Sequence, residues 1–128
     1  MKYMIMTFGG QAGLADRSIE WIKEMIDFIR QIDRELAGSG ELVFQQGLAD
    51  ARQAKTVRVH KGVPVATDSP FAGPGQSLAG FWIVDVENPE RAYALAAHAS
   101  SAPGPGGGPL NMPIEVRPVM CAPPAEML

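Results

Sequence analysis

The chain is poor in the residues that anchor the commonest active-site chemistries. It has one cysteine, Cys121, and two histidines, His60 and His98, among 128 residues. A single thiol excludes an internal disulfide, and cysteine use this sparse fits a reducing, cytoplasmic compartment. One cysteine and two histidines far apart in sequence give no metal-ligand spacing, so no metal or cofactor is expected. Eleven Lys and Arg against 14 Asp and Glu leave a net charge of −3. That balance has no basic stripe for nucleic acid and is too weak to imply a dedicated charged partner. No apolar run is long enough to cross a bilayer. The N-terminus lacks the charged start and long apolar stretch of a signal peptide. Neither nucleic acid nor membrane is therefore expected as a partner.

What is present reads as one domain, with a core over 2–119, a Gly/Pro loop over 101–113 and a loose tail over 121–128. Residues 2–8 alternate as a strand, Tyr3, Ile5 and Thr7 on one face and Met4, Met6 and Phe8 on the other. Gly9, Gly10 and Gly13 mark a loop. Asp16 or Ser18 can cap the helix that follows. Ile22, Met25, Ile26, Ile29, Ile32 and Leu36 recur at helical spacing, and Gly38 is a natural stop. Residues 41–47 read as a second strand. Residues 56–67 read as a hairpin turning at Lys61-Gly62, with Pro64 facing away from its partner strand. Residues 78–86 form the strongest strand pattern, apolar on both faces. Asn88-Pro89 starts a short helix with an Ala92, Leu95, Ala96, Ala99 face. Residues 114–119 are the last strand, and the intervening Gly/Pro loop has little fixed structure of its own.

This order predicts an α+β ferredoxin-like sandwich, an antiparallel sheet with both helices on one face. Several strands are apolar on both sides, whereas two helices cover one. The bare side is expected to meet a second copy of the chain in a two-fold homodimer.

Four segments carry a family resemblance. Lys2-Tyr3-Met4, Thr67-Asp68-Ser69-Pro70-Phe71-Ala72, Leu78 to Val86 and Ile114 to Val119 resemble the YCII-related family, also called DGPF-domain proteins. The resemblance spans Lys2 to Val119 and implies a dimeric ferredoxin-like fold. Some relatives resemble enzymes acting on small lactones or chlorinated ring-cleavage products, with an acid and a histidine near the subunit cleft. Others accompany sigma factors, which implies an alternative, non-catalytic accessory role linked to transcription regulation. The chain departs from the family pattern. Ser69 replaces a usual glycine, Gly73-Pro74-Gly75-Gln76 replaces a charged run, and Ser18-Ile19-Glu20-Trp21 stands where enzyme-like members have a histidine.

The Asp68-Ser69-Pro70-Phe71 turn is the leading site candidate, because Pro70 fixes the backbone and pushes Ser69 towards an extended conformation. A small organic ligand is expected in a cleft beside it. Asp68 is the candidate acid or base and His98 its candidate partner, for lyase- or isomerase-like chemistry. Against this, Asp68 can serve the turn alone, and His98 near a helix C-terminus is favoured by the dipole. Ser69 is a candidate ligand donor without an activating base. Arg117 is a candidate anion anchor, or a strand partner of Glu115. Tyr3, Met6, Phe71, Phe81 and Trp82 are candidate contacts lining an apolar pocket, or core and dimer contacts. The run Gly104 to Pro109 is no phosphate loop, since no Lys-Ser or Lys-Thr and no helix start follows it.

Overall fold

The computed structural model of the chain describes residues 1–9, 18–71, 73 and 76–120. The Asp16 cap, the loop at Gly10 to Gly13, Ala72, Pro74, Gly75 and the tail from Cys121 fall outside them.

Strand β1 is Lys2–Gly9 and leads to helix α1, Ile19–Ser39. Ser18 caps α1, its Oγ accepting from the Trp21 amide at 3.2 Å. The helix passes through Gly38 and stops at Gly40, a correction to the expected end. Gly40 has φ 79°, and its amide turns back to Ala37 O and Leu36 O. A left-handed residue closes the helix carbonyls in this way, and only glycine takes that conformation without a Cβ penalty.

Strand β2 is Leu42–Gly47, and a single 3-10 turn follows at Ala51–Gln53. Strands β3, Thr56–His60, and β4, Val63–Thr67, form a separate two-stranded sheet. Lys61 and Gly62 both have positive φ, 50° and 79°, as a tight two-residue hairpin turn requires. His60 then pairs with Val63, and Val59 with Pro64. The latter is a non-hydrogen-bonded pair, so the missing proline donor is not needed there. Strand β5, Ser77–Asp85, leads to helix α2, Pro89–Ser100, and strand β6 is Ile114–Pro118. Asn88 caps α2, Oδ1 accepting from Arg91 N at 2.9 Å.

The main sheet has the order β2-β5-β1-β6, antiparallel throughout. Two helices on an antiparallel sheet of this order are consistent with a ferredoxin-like fold. One core joins Tyr3, Ile5, Trp82 and Val84 of the sheet to Ile32 and Leu36 of α1 and Ala92, Ala96 and Ala99 of α2. Both helices thus cover the same sheet face. The small alanine face lets α2 lie close to the strands. Within α1 the apolar stripe is only partly used, since Ile26 and Ile29 remain exposed while Phe28 packs on the core.

The Gly/Pro loop is more structured than its composition predicts. Leu110 N donates to Ala102 O at 2.7 Å, and Gly104 N to Gly108 O at 2.7 Å. Trp21 Nε1 reaches from α1 to Pro103 O at 2.9 Å, and Ser100 Oγ donates to Met112 O at 2.6 Å. Tertiary partners supply the order that the glycines do not.

No helix among the described residues is long and apolar enough to cross a membrane.

Candidate functional site

Antiparallel register places side chains in rows across the sheet, and the rows on the helix side differ in how they are filled. Leu42, Val84 and Tyr3 form one row, and Gln45, Trp82 and Ile5 the next. The third row is Gly47, Gly80 and Thr7. Its two glycines contribute no side chain, and the Thr7 hydroxyl folds down to donate to Gly80 O at 3.2 Å. A Cβ added at Gly47 would meet nothing within 4 Å. At Gly80 it would lie 3.1 Å from Gln46 O and 3.4 Å from Gly47 Cα. Strand-to-strand approach therefore explains Gly80, whereas the space over Gly47 is open.

Over this bare floor lies a hollow of about 570 Å³. The first turns of α1 supply Trp21, Met25 and Phe28, the sheet supplies Leu78 and Trp82, and the Gly/Pro loop supplies Met112. Both tryptophans of the chain border it. Their ring nitrogens are already engaged, Trp21 with Pro103 O and Trp82 with Asp33 Oδ1 at 2.7 Å. Among the described residues Asp50 is its sole charged lining side chain. Arg52 grips both oxygens of that carboxylate at 3.1 Å and donates its own amide to it at 2.8 Å. These bonds hold the Asp50 carboxyl below the usual carboxylate range.

A second, more open cavity of about 590 Å³ shares the wall of Leu48 to Ala51, Ser77 and Leu78. It extends past Lys55 and Val57 to Pro70 and Phe71. The two hollows thus adjoin at this wall, and the outer one borders the turn singled out in the sequence.

The sequence-predicted residues are dispersed around this cleft. Asp68 lies at the base of the hairpin, its side chain 86% exposed and ion-paired with Lys55. Ser69 O accepts from Thr56 Oγ1 at 2.6 Å, a bond that closes the same base. Phe71 is 86% exposed and edges the outer cavity. His98, on α2, stacks against Phe28 with ring centroids 5.2 Å apart. Arg117 stands opposite Met4 on the other face of the sheet. Tyr3 is buried in the core, and Met6 is buried beside Phe81 on the bare face. Among the described residues no hydrogen bond or ion pair joins Asp68 to His98 or to Arg117, and none joins Glu115 to Arg117. The described residues also hold no group of three or more His, Cys, Asp or Glu placed to bind a metal ion.

Sequence reasoning missed Trp21, Phe28, Gly47 and Gly80 as site residues. Glycines inside strand patterns were the available signal, since they mark close backbone approach or an unfilled position.

A protein of Rhizobium meliloti (strain 1021), described as uncharacterized protein R00369, is 24% identical over 127 residues, 99% of this chain and 98% of its own. Residues 1–104 match the YCII-related domain, a span that holds both helices, five of the six strands and most of the cleft wall. The chain belongs to the YCII-related domain family.

Proposed function

We propose that this protein binds a small organic molecule in the cleft that starts under Trp21 and Trp82 and leads out past Pro70 and Phe71. The observation that carries the reading is the empty third row, Gly47, Gly80 and Thr7, beneath an apolar hollow of about 570 Å³. Gly47 and Gln45 are exposed, so this is a concavity open to solvent whose apolar lining is left uncovered. A concave, mostly apolar space of a few hundred Å³ with a few polar groups at its rim is the usual form of a small-molecule site. In this reading Asp68 fastens the hairpin through Lys55, and Pro70 and Phe71 shape the entrance. An acid/base step by Asp68 and His98 gains nothing from their placement, so the proposal is binding rather than catalysis. A thermal-shift screen of small lactones, phenols and carboxylates tests it, run in parallel on Gly47→Phe. A compound that stabilises the wild type and not the variant supports the site. Equal stabilisation of both, or none by any compound, refutes it.

A second reading, a homodimeric accessory module, is favoured by the other sheet face. Met4, Met6, Phe44, Phe81 and Ile83 lie there with neither α1 nor α2 above them, and the Phe44 and Phe81 rings pack at 6.0 Å. Phe44 is 51% exposed. This apolar patch, flanked by Gln46 on β2 and by Glu115 and Arg117 on β6, is covered most simply by its own copy across a two-fold axis. The two readings are compatible, since the faces are opposite. Sedimentation equilibrium of the wild type and of Phe44→Lys tests the dimer: a two-fold mass that falls in the variant supports it, and a wild-type monomer at high concentration rules it out. A cytoplasmic location belongs to the same reading and rests on the sparse cysteine.

A further inference from the structure

Resting on the proposed ligand site, we infer that the inner hollow is selective for uncharged, flat ring compounds carrying a hydrogen-bonding group at one end, and discriminates against their carboxylate and ammonium counterparts. The lining includes three aromatic side chains, Trp21, Phe28 and the largely buried Trp82, and two thioethers, Met25 and Met112. Flat apolar ligands gain most from such walls, through offset or edge-to-face ring contacts and sulfur contacts. The indole N–H groups are engaged by Pro103 O and Asp33 Oδ1, so the tryptophans offer a ligand apolar contact and not their donors.

Among the described lining residues an ionic ligand finds no free partner of opposite charge. No lysine, arginine or histidine is among the described lining residues, and an anion entering would be stripped of water without a counter-ion. Asp50, the one charged side chain among the described lining residues, is balanced by the Arg52 guanidinium through two bonds, so this pair favours neither an anion nor a cation. Uncharged polar groups do find partners at the rim. The side-chain amides of Gln45 and Asn111 border the hollow, and neither forms a hydrogen bond among the described residues. Each offers a donor and an acceptor to a hydroxyl, carbonyl or amide.

The test compares three ligands of one shape: 2-naphthalenemethanol, 2-naphthoate and 2-naphthylmethylammonium. Each is titrated at neutral pH into the full chain by calorimetry, with tryptophan emission as a second readout because both indoles border the site. The expected result is an uncharged ligand bound at least tenfold tighter than either charged one, with a change in tryptophan emission. Gly47→Phe, whose side chain would occupy the open space, is expected to abolish that binding while keeping the wild-type circular dichroism spectrum. Should Gly47→Phe not fold, Gly47→Leu gives the same comparison with a smaller side chain. Equal or tighter binding of the naphthoate or the ammonium overturns the selectivity while leaving the site intact. Absence of binding by all three overturns the ligand class, and the broader screen against Gly47→Phe then decides the site separately.

Discussion

Trp82 and Asp33 tie the sheet to the long helix: the indole Nε1 on β5 donates to Asp33 Oδ1 on α1 at 2.7 Å. The same ring forms part of the cleft wall, so this bond sets its tilt. Hydrogen bonds to charged acceptors contribute about 1.5–3 kcal/mol when partly buried. Asp33→Ala is expected to lower stability by about 2 kcal/mol, measured by urea denaturation. Asp33→Asn keeps an acceptor oxygen and should cost less; a larger loss in Asn than in Ala would refute this role.

Glu41 and Arg91 form a two-point clasp between the start of β2 and the first turn of α2, at 2.8 and 2.9 Å. Bonding to the guanidinium holds the Glu41 carboxyl below its ordinary value of 4.5. A depressed carboxyl adds stability above its unfolded pKa and loses it as pH falls through the folded one. The wild type should therefore exceed Glu41→Gln in stability at pH 7, and the gap should narrow as pH drops below 4.5. Urea melts of both proteins across that range check the sign.

The two floor glycines should answer oppositely to alanine. Gly80→Ala puts a methyl 3.1 Å from Gln46 O, a backbone atom with little room to retreat. Overpacking of this kind costs roughly 1–3 kcal/mol. Gly47→Ala meets nothing within 4 Å and should leave stability unchanged or slightly raised, by restricting the unfolded chain. Thermal melts of the pair distinguish close approach from open space.

Asp68→Asn removes the charge from the exposed pair with Lys55. Exposed pairs contribute at most about 1 kcal/mol, and the Thr56–Ser69 bond still closes the hairpin base. Global stability should change by less than that amount in chemical denaturation. A larger loss would mean that the hairpin base is coupled to the core.

Untying the loop should change access to the cleft before it changes the fold. Trp21→Phe keeps an aromatic wall but deletes the Nε1 bond to Pro103 O. Amides of residues 104–110 are expected to exchange faster with solvent, whereas those of β1 and β5 keep wild-type protection. Hydrogen exchange read by mass spectrometry checks both.

The amino-acid sequence alone determined the elements, because their signals are local. Ser18 and Asn88 cap their helices, Lys61-Gly62 turns the hairpin, alternation marks β1, and an apolar run covering both faces marks β5. Each depends on neighbours within a few positions along the chain. Apolar content on both faces of the strands likewise showed that one sheet side would lack a helix. The tertiary structure alone decided where the hollow lies. Gly47, Gly80 and Thr7 come from three strands, and only register aligns them into one unfilled row. It also paired Asp68 with Lys55, drew the Gly/Pro loop into order through Trp21, and left Ile26 and Ile29 outside the core. A cavity is a property of side chains missing from the same place in space, and no local pattern in the chain records that coincidence.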